Sequence, residues 1–128
     1  MEMMHNAINW FEIPVTDFDR AKAFYSAIYD YEMPEMPMGP IRMGFLLHDR
    51  DNGGIGGAIV HGETYVPATT GSKVYLNGGE NLDTVLNRVN TAGGKVVLPK
   101  TPIGDGSMGY IGIFEDTEGN HVSLHSMG

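Results

Sequence analysis

The stretch AINWFEIPVTDFDRAKAFYSAIYD, residues 7 to 30, decides the fold. Residues 7 to 15 are rich in aromatic and β-branched side chains, which suit a pleated, half-buried strand. Thr16 or Asp17 can then cap a helix, since a short polar side chain satisfies backbone N–H groups that have no partner in the first turn. Within that helix Phe18, Ala21, Phe24, Tyr25 and Ile28 fall on one side at helical spacing, leaving Arg20, Lys22 and Asp30 for water. A helix striped in this way lies on a sheet. After it, YEM (31 to 33), IRMGFLLH (41 to 48) and IGGAIVHG (55 to 62) read as three strands, separated by the Met/Pro loop MPEMPMGP (33 to 40) and the polar turn DRDNGG (49 to 54).

The same order then recurs. SKVYLNG (72 to 78) repeats the strand signal, and ENLDTVLNRVNTAGG (80 to 94) repeats the helix, with Leu82, Val85, Leu86 and Val89 inward and a glycine stop. KVVLP, GYIGIFE and NHVSLHS supply three more strands. The expected fold is therefore α+β: two βαβββ modules related by a pseudo-twofold, in one domain over residues 1 to 128. The first module spans about 7 to 62, a linker about 63 to 71, and the second module about 72 to 126. A shift of 64 residues carries Asp19 to Asp83, Phe18 to Leu82, Trp10 to Val74, Glu12 to Leu76, Ile59 to Ser123 and His61 to His125. The glycine pair Gly78 and Gly79 allows a bulge that slips the early strands by one residue, in which case Tyr75 replaces Val74 as the partner of Trp10.

Composition excludes several functions. Eight Lys and Arg stand against sixteen Asp and Glu, a net charge of −8, so no surface is available to neutralise a phosphate backbone and nucleic acid is not an expected partner. With no cysteine there is no thiolate nucleophile, disulfide or sulfur-ligated zinc. Apolar runs are short and the first residues lack a basic segment followed by a long apolar one, so the expectation is a cytoplasmic protein without a membrane partner. DRDNGG lacks the spacing and the downstream Glu of a calcium loop, and GGIGG leads into a strand where a dinucleotide fingerprint leads into a helix.

Two βαβββ modules, EIPVTD before a helix containing AFY, and the phrases VYLNGG, GGKVVLPKT and DTEGNHVSLHS resemble the vicinal oxygen chelate superfamily of glyoxalases, bleomycin-resistance proteins and extradiol dioxygenases. The likeness covers nearly the whole chain and is closest to the single-domain, glyoxalase-related branch. It implies a cupped mixed sheet with helices outside, a small-molecule ligand or lyase-like chemistry in the cup, and a homodimer, because such proteins often build the cup across two chains. In metal-using members the ligands come from the first, fourth, fifth and eighth strands. Carried over, those positions are Trp10, Ile59, Val74 (or Tyr75) and Ser123. Indole and alkyl groups offer no lone pair to a divalent ion, and one serine cannot hold it. The usual metal is therefore not expected, and no cofactor is.

Side chains two apart on a strand share a face. On this basis the ligand pocket is expected to hold Trp10, Glu12, Ile59, His61, Val74, Leu76, Ser123 and His125, with His121 alongside and an aromatic wall from Tyr110, Gly112 and Phe114. Ile111 and Ile113 would then pack under the helices. Glu12 is the candidate catalytic residue, a general base beside the Trp10 indole. Glu12, His61 and His125 together form an unconventional metal set, against which stands the reading of rim histidines in water and a structural carboxylate. Two functions follow: a binder that sequesters a small organic molecule, or a lyase- or isomerase-like enzyme using Glu12 or that metal set. MPEMPMGP and TPIGDGSMG (101 to 109) are loops that could act as lids.

Overall fold

The computed structural model describes residues 1 to 128. The elements in chain order are β1 (Phe11–Pro14), α1 (Phe18–Tyr29), β2 (Glu35–Met38), β3 (Ile41–Phe45), β4 (Gly57–His61), β5 (Tyr75–Asn77), α2 (Asp83–Leu86), β6 (Lys95–Pro102), β7 (Tyr110–Glu115) and β8 (His121–Ser126). They form two four-stranded mixed sheets, in the orders β1-β4-β3-β2 and β5-β8-β7-β6. In each sheet the first strand runs parallel to the last strand of its module, and the remaining pairs are antiparallel. The duplicated βαβββ order is as the sequence predicts. No helix is long and apolar enough to cross a membrane.

Helix α1 starts where its cap requires. Asp17 has extended backbone angles and its carboxylate accepts from the Arg20 N–H at 3.1 Å. The inward stripe is the one read from spacing: Phe18, Ala21, Phe24, Tyr25 and Ile28 are all buried. Two local expectations are corrected. The strand placed at YEM (31 to 33) lies at Glu35–Met38, inside the Met/Pro segment read as a loop, because Glu35 to Met38 pair residue for residue with β3. Pro37, with no N–H to give, is tolerated because β2 is an edge strand. The second helix is α-helical only over Asp83–Leu86, and beyond it tighter bonds take over, Arg88 N–H to Val85 O and Val89 N–H to Leu86 O.

Both helices and one face of each sheet build a single core. It joins Ile13, Val15 and Ile59 of the first sheet, Leu76, Phe114, Val122 and Leu124 of the second, and the apolar stripes of the helices. Phe114 packs its ring against Phe24 and Tyr25 at centroid distances of 5.7 and 6.2 Å. Gly44 has no side chain because Met33 and Phe18 occupy the space a Cβ would need. A buried polar knot ties the modules together. Asp116 accepts from the Tyr25 hydroxyl at 2.7 Å, from the backbone N–H of Glu118 and Asn120, and from the Asn120 amide, which also donates to Pro14 O. Burial first, then the Asp116 charge and hydrogen bond, push the Tyr25 phenol far above its ordinary range. One residue on, Glu118 caps α1 from the other module, accepting from Thr16 N–H, Asp17 N–H and the Arg20 guanidinium.

Candidate functional site

Strand pairing decides which side chains share a face. In the first sheet Glu12 stands beside Ala58, Ala58 beside Phe45, and Val60 beside Met43. This is the open face, turned away from the helices, and Trp10, two residues before Glu12, lies on it with its ring edge against Phe45 at 6.1 Å. In the second sheet the open face carries Tyr75 beside Ser123, Asn77 beside His125, and Ile111 and Ile113 beside His125 and Ser123.

Several expected positions turn the other way. Ile59 pairs with Ile13 and is fully buried in the common core, so Ala58 and Val60 occupy the open face where Ile59 was expected. His61 follows the alternation of Ile59 to the helix side, where it lies with Phe18, Arg20 and Arg42 around a hollow at the start of α1. Val74 packs against the core and Tyr75 takes the open face, beside Ser123 as Glu12 is beside Ala58, so Tyr75 replaces Val74 on that face but as the counterpart of Glu12 and not of Trp10. Glu12 thus corresponds to Tyr75 and Ala58 to Ser123, shifts of 63 and 65 where the helices suggest 64. Leu76 belongs to the core. Tyr110, Gly112 and Phe114 face the helices, and Ile111 and Ile113 face outward, the reverse of the expected wall. A period-two pattern makes such reversals all-or-none: one residue of slip moves every side chain across.

The unconventional metal set is undone by the same alternation. Glu12 is on the open face of one sheet, His125 on that of the other, and His61 on the helix side. No group of three His, Asp or Glu side chains comes together anywhere in the chain in a way that could hold a metal ion. The four matched open positions are Glu12, Ala58, Tyr75 and Ser123, with Trp10 beside them, and a single carboxylate in that company is a donor set that does not fit a divalent cation.

The open faces instead hold apolar and aromatic side chains around a few fixed polar groups. Glu12 accepts from the Tyr65 hydroxyl at 2.9 Å and from the Trp10 indole N–H at 3.4 Å. The hydrogen bond to Glu12, then desolvation and the carboxylate charge, hold the Tyr65 phenol above its ordinary range. On the second sheet His125 donates from Nε2 to Met108 O at 2.8 Å. His121 donates from Nε2 to Glu115 at 3.2 Å. Ser123 is buried at 4% exposure between Tyr75 and Ile113. A hollow of about 730 Å³ opens over this sheet and is lined by Tyr75, Asn77, Ile103, Ile111, His125 and Met127. Ile103 comes from the glycine-rich segment read as a possible lid, whose turn is closed by the Ile103 N–H to Gly109 O bond.

Phe45, Tyr65, Asn77 and Ile103 were not singled out from the sequence. Tyr65 sits in the linker, where no periodicity exists to assign it a face, and Phe45 lies on a strand whose register only its neighbours fix.

Comparison with known proteins agrees with this architecture. Residues 8–43 match the family model described as bleomycin resistance protein-like N-terminal. No curated protein matches the sequence at a significant level. Among solved structures, TnmS3, an antibiotic-binding protein from Streptomyces sp. CB03234, is 21% identical with a TM-score of 0.70, and the match covers 98% of each chain. A glyoxalase/bleomycin resistance protein from the same organism is 21% identical with a TM-score of 0.69, over 91% of this chain and 97% of that one. A mutant of the fosfomycin resistance protein FosX from Listeria monocytogenes, solved with Mn(II) and 1S,2S-dihydroxypropylphosphonic acid, is 17% identical with a TM-score of 0.60, over 97% and 91%. The chain therefore has the fold of glyoxalase and bleomycin-resistance proteins, with its family-level sequence match confined to residues 8–43.

Proposed function

We propose that this protein binds a small organic molecule against the open faces of its sheets, without the divalent metal common in its superfamily. One observation carries the reading. Apolar and aromatic side chains, Trp10, Phe45, Tyr75 and Ile111 among them, surround isolated polar groups on faces that the core leaves uncovered. Such faces suit a ligand held by contact area and oriented by a few hydrogen bonds. The antibiotic-binding name of TnmS3, which shares the fold over its whole length, supports sequestration over turnover. Met36, Met38, Trp10 and Tyr75 leave large apolar side chains exposed on these faces, which supports pairing of two copies over them.

A second reading keeps catalysis. Glu12, fixed by Tyr65 and Trp10, has the oriented carboxylate that a general base needs. A thermal-shift screen of small organic molecules, followed by recovery of each hit, separates the two. A ligand recovered unchanged fits a binder; one that is converted by the parent protein and survives with Glu12→Gln fits an enzyme. Metal analysis of untagged protein completes the test, since a stoichiometric ion would overturn the metal-free reading.

A further inference from the structure

Glu12 is the charged centre of the first sheet's open face. Both of its oxygens accept hydrogen bonds from neutral donors, Tyr65 and Trp10, and no Lys, Arg or His forms an ion pair with it. Its charge is therefore oriented but not compensated, in a chain of net charge −8. Around it stand three aromatic side chains from separate segments: Trp10 ahead of β1, Phe45 at the end of β3, and Tyr65 in the linker. Between Glu12 and Phe45 lies Ala58, which pairs with both and is fully covered, with Phe45 and Tyr65 packed against its cluster.

We propose that Glu12, Trp10, Phe45 and Tyr65 recognise the tertiary or quaternary ammonium group of an organic cation, which names the ligand class for the binding reading above and rests on it. Aromatic faces attract a cation through their quadrupole, and N-alkyl groups lie against the rings while the charge stays near the carboxylate. A primary ammonium or a guanidinium fits less well, because its several N–H donors each need an acceptor and one lone pair on each Glu12 oxygen is already engaged. A divalent metal fits least, since one carboxylate among rings supplies too few oxygen ligands. An anionic ligand meets uncompensated negative charge.

Trp10 is the only tryptophan, so intrinsic fluorescence reports from the site itself. The test titrates the full chain with choline and with 3,3-dimethylbutan-1-ol, in which carbon replaces the charged nitrogen. The expected result is a saturable fluorescence change with choline, about tenfold weaker for the neutral isostere, as a cation–π contact plus one carboxylate would give. Glu12→Gln should weaken choline and shrink that difference, and Phe45→Leu should weaken choline alone, with circular dichroism confirming that each variant is folded. Equal affinity for both probes, choline binding untouched by Glu12→Gln, or no saturable change with choline would each overturn the ammonium site. In the first case the small-molecule reading survives, because a neutral ligand still binds; it fails only if the wider screen also finds nothing.

Discussion

The two sides of each sheet differ more than the two modules do. On the helix side, Ile13, Val15 and Ile59 of one sheet and Phe114, Val122 and Leu124 of the other are at most 3% exposed and merge into one core. On the open side the modules diverge. The first carries a carboxylate among rings and methionines, the second a serine and two histidines beside isoleucines. Packing constrains volume and shape, so the helix sides had to remain alike and apolar, whereas nothing in the fold constrains the chemistry of the open faces. A repeat used this way separates stability from recognition.

The sharpest way to break this comparison is to remove bulk from each side. Phe114→Ala should cost about 3–5 kcal/mol, since the ring is fully buried against Phe24 and Tyr25. Ile111→Ala, on the half-buried opposite face of the same strand, should cost less than half of that. Urea unfolding with an unchanged slope measures both, and equal losses would mean that the open face is as much core as the other.

Next in size is the polar knot between the modules. Asp116→Ala leaves the buried Tyr25 hydroxyl and two backbone N–H groups without their acceptor, an expected loss of about 2 kcal/mol. Tyr25→Phe in the same background should then cost little more, because the hydroxyl has already lost its partner; additive losses would show that Tyr25 and Asp116 act independently.

A smaller effect comes with pH. Desolvation works to raise the Glu118 carboxyl, but hydrogen bonds from Arg20, Asp17 N–H, Thr117 and Thr16 N–H outweigh it and hold the group below its ordinary value of 4.5. A depressed carboxyl stabilises the fold fully above its unfolded value, and that contribution disappears as pH falls through the lower folded value. The urea midpoint should therefore drop below about pH 4.5, and Glu118→Gln should flatten this part of the profile while lowering the midpoint at pH 7. A Gln variant that keeps the parent's acid profile would remove Glu118 from the acid response.

Trp10→Ala should have the smallest effect on stability, below about 1 kcal/mol, because the indole is 40% exposed. Binding of an open-face ligand, followed by calorimetry, should weaken by about tenfold or more. Global unfolding of this variant would place Trp10 on the stability side of the comparison.

Much of this was legible in the chain. The stripe Phe18, Ala21, Phe24, Tyr25 and Ile28, the duplicated element order, and the inward residues Leu82, Val85, Leu86 and Val89 all follow from spacing and side-chain chemistry. Trp10, Glu12, Ser123 and His125 were also placed on open faces correctly. The assignments of Ile59, His61, Val74, Tyr110 and Phe114 failed together, because alternation says which residues share a face but not which face looks at the helices.

What the sequence alone determined is the order of elements and the helix stripes, since those depend on local periodicity and on caps within a few residues. Tertiary structure alone decided the orientation of each strand: Ile59 could turn inward only once β4 had paired with β1 in one register, and Tyr65 could reach Glu12 only once the linker had folded back over that sheet. A strand presents two faces of equal local merit, and the choice between them rests on the burial of residues far away in the chain.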